Sequence, residues 1–170
     1  MLDRLIDFLL SCLGLFKFWI VLAPYEQGVL VRLGKFIRVL DPGMHWVIPL
    51  NIDHVYYEHV VPRTHELRPE SVTSADGKSV SFTAVITFQV RRVEKALLEV
   101  EDAGHAVVDA CCGEIGRVLR SATWSEMMDE SMLEKLTSAC RKKAFKWGIE
   151  VIHVQLAGIA IARNIRLIQN

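Results

Sequence analysis

The sequence predicts an α+β fold, a twisted antiparallel sheet with helices packed on it, preceded by a hydrophobic segment. Three observations lead to this class. Short apolar and alternating stretches separated by turn residues fill 25–92, the apolar period becomes helical within 93–170, and a last apolar stretch follows Gly148 as a closing strand. The chain has 170 residues, which is room for one domain and a short appendage. We therefore divide it into a segment, 1–24, and a domain, 25–170.

The segment contains an apolar run from Leu5 to Ala23, and we expect a hydrophobic helix that contacts the membrane. About nineteen residues of helix extend roughly 28 Å, against about 30 Å for the hydrocarbon core of a bilayer. Asp7 and Lys17 interrupt the run, so we expect a wedge or a shallow spanning helix with the Lys17 amine at the headgroups, and full spanning is the alternative. A cleaved signal peptide is disfavoured, because the preceding residues are hardly basic and Pro24 follows the only small-residue site.

The large apolar side chains of the run, together with Lys17, are the predicted lipid contacts. Pro24 should end the helix, which would place Trp19 and Tyr25 at the membrane–water interface. A helix buried against the domain is the alternative, although the run has no polar face. Cys12 is a candidate for S-acylation, with plain apolar packing as the alternative. The predicted contacts are Leu5, Phe8, Leu9, Leu13, Phe16, Lys17, Phe18, Trp19 and Val21.

The strand-rich part begins with a predicted hairpin over 28–39, whose turn is Gly34-Lys35. Another turn, Asp41-Pro42-Gly43, follows it. The clearest alternation comes after Asp76-Gly77, where every second residue from Val80 to Val90 is apolar and most residues between them are serine or threonine. This pattern predicts a half-buried antiparallel strand whose outer face meets water or another protein.

The helix-rich part contains two apolar stripes. Thr123 and Glu126 have capping-box spacing between them, and Gly148 stands where a left-handed C-cap is expected. Cys111 and Cys140 lie on the stripes, so we interpret them as small buried apolar residues. The first stripe is Val108, Cys111, Ile115, Val118, Leu119 and Ala122; the second is Leu133, Leu136, Cys140, Ala144 and Trp147.

Charge and cysteine content exclude several classes of function. Lysine plus arginine number 20 and aspartate plus glutamate number 20, so no net charge attracts nucleic acid. The four cysteines have neither zinc-site nor redox-motif spacing. Basic residues at 141–143 and 146 follow acidic ones at 126–134, which we interpret as complementing a helix dipole.

Catalytic motifs are incomplete. Asp76-Gly77-Lys78-Ser79 lacks the earlier glycine of a phosphate loop, and His65-Glu66 is followed by Pro69 where HExxH requires histidine. We therefore predict no enzyme and no catalytic, cofactor or metal site. A hydrolase or metal enzyme with a dispersed site is the alternative, and its least implausible contributors are His45, His54 and His59.

Five short motifs occur in order between residue 24 and about residue 160. They are Pro24-Tyr-Glu-Gln-Gly-Val29, Arg32-Leu-Gly-Lys35, Pro42-Gly-Met-His-Trp-Val-Ile-Pro49, Asp76-Gly77 before the alternating strand, and Trp147-Gly-Ile-Glu-Val151. Taken together, they resemble the SPFH or band 7 family, the superfamily of stomatin, prohibitin and flotillin.

The resemblance implies a non-enzymatic membrane scaffold without cofactors. Its partners would be membrane lipid, further copies of itself in a homo-oligomer, and a membrane protease or channel, with the domain on the cytoplasmic side of a membrane microdomain. Family members usually continue into a long coiled-coil helix. This sequence ends at Asn170, which leaves a fragment and a minimal member both open. A monomeric membrane-surface adaptor is the second interpretation.

Overall fold

The computed structural model describes residues 18–161. Strands come first, helices second and one long strand last, so the predicted α+β class is confirmed. The strands are β1 (Trp19–Leu22), β2 (Glu26–Arg32), β3 (Lys35–Leu40), β4 (Gly43–Trp46), β5 (Asp53–His59), β6 (Arg63–Glu66), β7 (Glu70–Thr73), β8 (Ser79–Val90) and β9 (Ile149–Ile161). The helices are α1 (Val93–Leu98), α2 (Ala103–Arg120), α3 (Trp124–Met127) and α4 (Ser131–Ala144), with a 3-10 helix at Phe145–Trp147.

The described end of the apolar run is a strand, so the prediction of a helix continuing to Ala23 is wrong there. β1 pairs antiparallel with β4, which places Trp19 opposite Trp46. Leu22 is buried while Val21 points outward, which is the two-residue period of a strand. Because both faces of this stretch are apolar, the alternation is hidden in the sequence. The predicted residues from Leu5 to Lys17, including Cys12, lie outside the described residues.

The predicted hairpin is confirmed as β2 and β3, which pair antiparallel with a bulge between Leu30 and Val31. Its turn is Leu33-Gly34 and not Gly34-Lys35, since Lys35 already begins β3. β5 pairs with the other edge of β2, giving a three-stranded sheet. The ribbon formed by β1 and β4 packs on this sheet through a small core of Leu22, Leu30 and Leu40. We call strands β1–β5 the strand unit.

The second sheet is built around β8. β6 and β7 pair with one edge of β8, and β9 pairs with the other edge along its length. The predicted alternation is confirmed, because all six even-numbered side chains from Val80 to Val90 are buried. Serine and threonine occupy most of the opposite face, where Ser71 and Ser81 share a hydrogen bond of 2.7 Å.

Helices α2 and α4 pack against each other, and together they complete the main core with the β8 sheet. Cys111 and Cys140 are fully buried, as predicted. The stripes are shifted slightly, since Val107 and Met132 are buried where Val108 and Leu133 were expected. The capping box at Thr123 is confirmed, and so is the left-handed C-cap at Gly148, with φ +73°. Among residues 18–161, no helix has both the length and the apolar character needed to cross a bilayer.

Candidate functional site

Exposed large apolar side chains are concentrated in the strand unit and the segments beside it. Of the twenty such residues in the described chain, fifteen lie between residues 18 and 61. Exposed apolar side chains concentrated in one region are typical of a surface that contacts a membrane or another protein. We therefore look for the candidate site on the exposed surface of the strand unit.

The outer face of the β1–β4 ribbon is apolar at all four of its outward positions. Trp19 faces Trp46, with ring centroids 6.2 Å apart and the planes nearly perpendicular. Val21 faces Met44. The exposed fractions of these side chains run from 58% for Trp19 to 68% for Trp46. No charged group interrupts this face of the ribbon.

Two loops continue the apolar surface at the end of the ribbon. Leu33, in the β2–β3 turn, is 75% exposed, and Leu50, in the β4–β5 loop, is 68% exposed. Both leucines have left-handed backbone, with φ +47° and +65°. That conformation is costly for a residue with a side chain and persists only when its surroundings enforce it. The Leu33 N–H donates to the Ile52 carbonyl at 2.9 Å, which joins the loops.

Asp53 holds the two loops in place. Its carboxylate is fully buried and accepts from Arg32 Nε and Nη2 at 2.7 and 3.0 Å, and from the Ile48 N–H at 2.8 Å. The hydrogen bonds from Arg32 are the main reason that the pKa of Asp53 is lowered, with the Ile48 N–H adding to the effect and burial opposing it. This bidentate pair is the anchor that fixes the leucine loops.

The apolar surface lies at the N-terminal end of the described residues, which begin at Phe18. The Val47 N–H donates to the Phe18 carbonyl at 2.9 Å, so Phe18 extends the ribbon by one position. The rest of the predicted hydrophobic run, from Leu5 to Lys17, directly precedes it in the sequence. We call this surface the apolar end; its residues are Phe18, Trp19, Val21, Leu33, Met44, Trp46, Ile48 and Leu50. Three predicted lipid contacts, Phe18, Trp19 and Val21, belong to it.

The three histidines of the alternative site do not form one cluster. His45, on β4, contacts the Asp41 carbonyl at 2.6 Å. His59 stacks on Tyr25, with ring centroids 5.3 Å apart. His54 lies five positions from His59 on β5, so the two side chains leave opposite faces of the strand. Within residues 18–161 no group of three or more histidine, cysteine, aspartate or glutamate side chains is placed to hold a metal ion.

The contacts of the cysteines and of the Asp76-Gly77 turn indicate structural roles. Burial is the main reason that the pKa of Cys112 rises to about 12, so this thiol stays protonated at neutral pH. Cys140 donates toward the Cys111 carbonyl at 3.8 Å. In the turn, Lys78 pairs with Asp76 at 2.7 Å, which lowers the pKa of Asp76 to about 2. The turn leads into β8, which is the hairpin context expected from the sequence.

Comparison with known proteins agrees with this architecture. The family model described as SPFH domain / Band 7 family matches residues 20–169. The chain therefore belongs to the SPFH domain / Band 7 family, and the resemblance found in the sequence is confirmed.

Relatives include proteins of archaea, fungi and animals. An uncharacterized protein of Methanocaldococcus jannaschii is 27% identical over 149 residues, covering 86% of this chain and 74% of the relative. An uncharacterized protein of Schizosaccharomyces pombe is 31% identical over 136 residues, covering 77% and 38%. Stomatin-4 of Caenorhabditis elegans is 23% identical over 145 residues, covering 83% and 51%. The chain thus spans about half or less of the last two relatives.

Proposed function

We propose that this protein is a membrane-anchored, non-enzymatic scaffold that assembles laterally and organises a membrane region or its partner proteins. The apolar end carries the proposal, because it lies where the hydrophobic run enters the domain. Membrane lipid and further copies of the chain are the partners. A membrane protease or channel is the further partner class, taken from the family resemblance, with the domain on the cytoplasmic side.

The chemistry of the apolar end suits the boundary between headgroups and acyl chains. Tryptophan rings are favoured at this boundary, and two of them stand side by side on the ribbon. Within residues 18–161 the antiparallel ladder pairs the facing backbone groups of β1 and β4 and leaves one open edge on each strand, so the ribbon suits the hydrated headgroup boundary and not the hydrocarbon core. Lipid contact by a strand ribbon replaces the helix expectation for residues 19–22, and the run before Phe18 supplies the anchor.

A flotation experiment tests the lipid contact. The full chain and a Trp19→Thr/Trp46→Thr variant are mixed with phosphatidylcholine vesicles at the lipid concentration that binds half of the wild type. Threonine keeps the strand propensity while removing both rings. Because about 1.4 kcal/mol corresponds to a tenfold change in partitioning, we expect the variant's partition coefficient to fall by at least about tenfold.

Tyr56→Thr is the matched control, since Tyr56 is an exposed aromatic residue on β5 outside the apolar end. It should partition like the wild type. Equal flotation of the double variant and the wild type would show that the apolar end does not contact lipid.

Mass measurement in mild detergent tests lateral assembly. The scaffold proposal expects a protein mass that is a multiple of 19.3 kDa. A species of one chain would contradict the assembly and favour the monomeric adaptor, even if the lipid contact is correct.

A further inference from the structure

Exposed charges are separated by sign along α4. Helix α3, the turn after it and the first residues of α4 carry four carboxylates and one lysine, which we call the acidic end. The last turn of α4 and the following 3-10 helix carry lysines, and Arg117 on the neighbouring helix α2 adds to them as the basic end. The acidic end comprises Glu126, Asp129, Glu130, Glu134 and Lys135, and the basic end comprises Arg117, Lys142, Lys143 and Lys146.

The basic end forms a groove of about 240 Å³ between α2 and α4. In the described part of the chain the groove has a single carboxylate, Glu114. It forms ion pairs with Arg117 Nη2 at 2.7 Å and with Lys143 Nζ at 4.0 Å. Lys142 and Lys146 line the groove, and neither has an ion-pair partner among residues 18–161. The groove therefore carries positive charge that the described chain does not neutralise.

The two ends cannot neutralise each other within one molecule. On α4, Glu134 and Lys142 are eight residues apart in the sequence, which at about 1.5 Å per residue is about 12 Å and exceeds the screening length of about 8 Å at physiological salt. Glu130 and Glu134 are also like-charged neighbours at i,i+4, and Lys142 and Lys146 have the same spacing. Such pairs repel each other unless opposite charge is brought to them.

An apolar side chain accompanies the charges at the acidic end. Leu133 is 39% exposed and lines a groove of about 490 Å³ between α4 and β9 together with Glu134. At the basic end, Phe145 lies in a separate groove with Arg91 and Arg92, and the Arg92 guanidinium stands over its ring at 5.1 Å from the centroid. The acidic end thus offers apolar area beside its charges, and the basic groove offers charge.

We propose that the occupant of the basic groove is the acidic end of a second copy of this chain, docked head to tail. Opposite charges suppress like-to-like pairing and fix the direction of the contact. Because the two patches are different and stand at opposite ends of one helix, the contact is heterologous and repeats from copy to copy into a ring or an open row. This inference rests on the lateral assembly proposed above and names the surfaces that carry it.

A helix dipole also favours acids at the start and bases at the end of α4. Two features go beyond it: Arg117 belongs to another helix, and the groove holds lysines without partners. Reversing the sign of the charges at both ends of α4 separates the two explanations. The reversed charges would be unfavourable with the helix dipole at both ends, whereas the two docking surfaces would still carry opposite charges.

The test uses charge reversals in the full chain, in mild detergent at low salt, with mass measured by light scattering. One variant is Lys142→Glu/Lys146→Glu, the second is Glu130→Lys/Glu134→Lys, and the third combines all four changes. We expect each reversal alone to weaken self-association at least tenfold, and the combined variant to recover most of it. An equimolar mixture of the first two variants should also assemble. Circular dichroism confirms that each variant is folded.

Lys35→Glu/Arg68→Glu is the matched control, because both residues are exposed and lie outside α4. It makes the same change in net charge and should assemble like the wild type. Wild-type assembly that survives each single reversal would overturn the docking surfaces while leaving lateral assembly intact. Loss of assembly that the combined variant does not recover would also overturn them. A monomeric wild type would overturn both proposals.

Discussion

The strand unit and the helix-bearing region differ in where their apolar residues go. In the helix-bearing region, from β6 onward, apolar side chains are mostly buried in the main core, and charged side chains occupy much of the helix surface. The strand unit has a small core of three leucines between the ribbon and its sheet, and a largely apolar exposed face. Most of the buried apolar side chains of the described chain therefore lie in the helix-bearing region, and most of its exposed large apolar side chains lie in the strand unit and the segments beside it.

β8 and β1 show the origin of this difference. β8 has an apolar face that is buried against the helices and a mostly polar face on the other side, so burial of one face is sufficient to cover its apolar residues. β1 is apolar on both faces, although among residues 18–161 only one of them packs into a core. Its other apolar face is exposed in the described part of the chain, and this is the face to which the proposed lipid contact applies.

The largest expected effect compares a buried residue with an exposed one of similar apolar character. Phe82, on β8, is 2% exposed, and Met44, on β4, is 63% exposed. We expect Phe82→Ala to lower the free energy of unfolding by about 3–5 kcal/mol, and Met44→Ala to change it by no more than about 0.5 kcal/mol. Urea denaturation measures both values. Similar losses in the two variants would break the distinction between the regions.

The next effect tests the junction between α4 and β9. Gly148 has φ +73°, and a Cβ there would lie 2.6 Å from the Arg92 carbonyl oxygen. Gly148→Ala should cost about 2–4 kcal/mol, from left-handed backbone and the forced shift of Arg92 together. Thermal denaturation gives the loss. Gly113→Ala, where an added Cβ meets open space, is the control and should not be destabilising.

A third prediction concerns the loops of the apolar end. Asp53→Asn removes the charge that Arg32 and the Ile48 N–H bind, so we expect a loss of about 1.5–3 kcal/mol. Hydrogen exchange should accelerate in the β2–β3 turn and the β4–β5 loop but not in α2. Equal acceleration in α2 would contradict a local role for Asp53.

This loss depends on pH in a direction that follows from the lowered pKa of Asp53. Its pKa is 3.8 when unperturbed and lower in the folded protein, so the unfolded chain takes up the proton first as acid is added. The stabilisation is therefore complete above about pH 4 and is lost as pH falls through the folded value. The difference in stability between wild type and Asp53→Asn should be constant from pH 5 to pH 7 and shrink below about pH 4.

The smallest effect is expected at a surface ion pair of the helix-bearing region. Arg91 Nε lies 2.6 Å from Glu150, and the two side chains are 64% and 39% exposed. Arg91→Gln should change the free energy of unfolding by less than about 1 kcal/mol, and less still at high salt. A loss comparable to that of Phe82→Ala would show that surface charge, and not the main core, stabilises this region.

Local patterns were sufficient to predict much of the fold. The alternation of β8, the hairpin, the capping box and the C-cap at Gly148 each depend on residues close in sequence, and each is confirmed. The stripe on α2 was displaced to Val107 because the exact facing of a helix depends on the tertiary partner it packs against. The sequence predicts a helix where β1 lies because an uninterrupted apolar run has no visible period.

The candidate site was predicted only in part. Trp19 and Val21 were expected as lipid contacts, but on a helix. Met44 and Trp46 were missed, although their spacing of two after Gly43 is the signal of an outward strand face. The Arg32–Asp53 pair joins residues that are 21 positions apart, so no local pattern could reveal it.

The most direct test of lipid contact by the apolar end is fluorescence quenching of the vesicle-bound full chain by brominated lipid. The sequence contains four tryptophans, so one variant keeps only Trp46 and a matched variant keeps only Trp147, with phenylalanine replacing the others. Trp46 lies on the apolar end and Trp147 at the end of the 3-10 helix. We expect strong quenching of Trp46 and little quenching of Trp147. Unquenched Trp46, or equal quenching of the two, would contradict lipid contact by the apolar end.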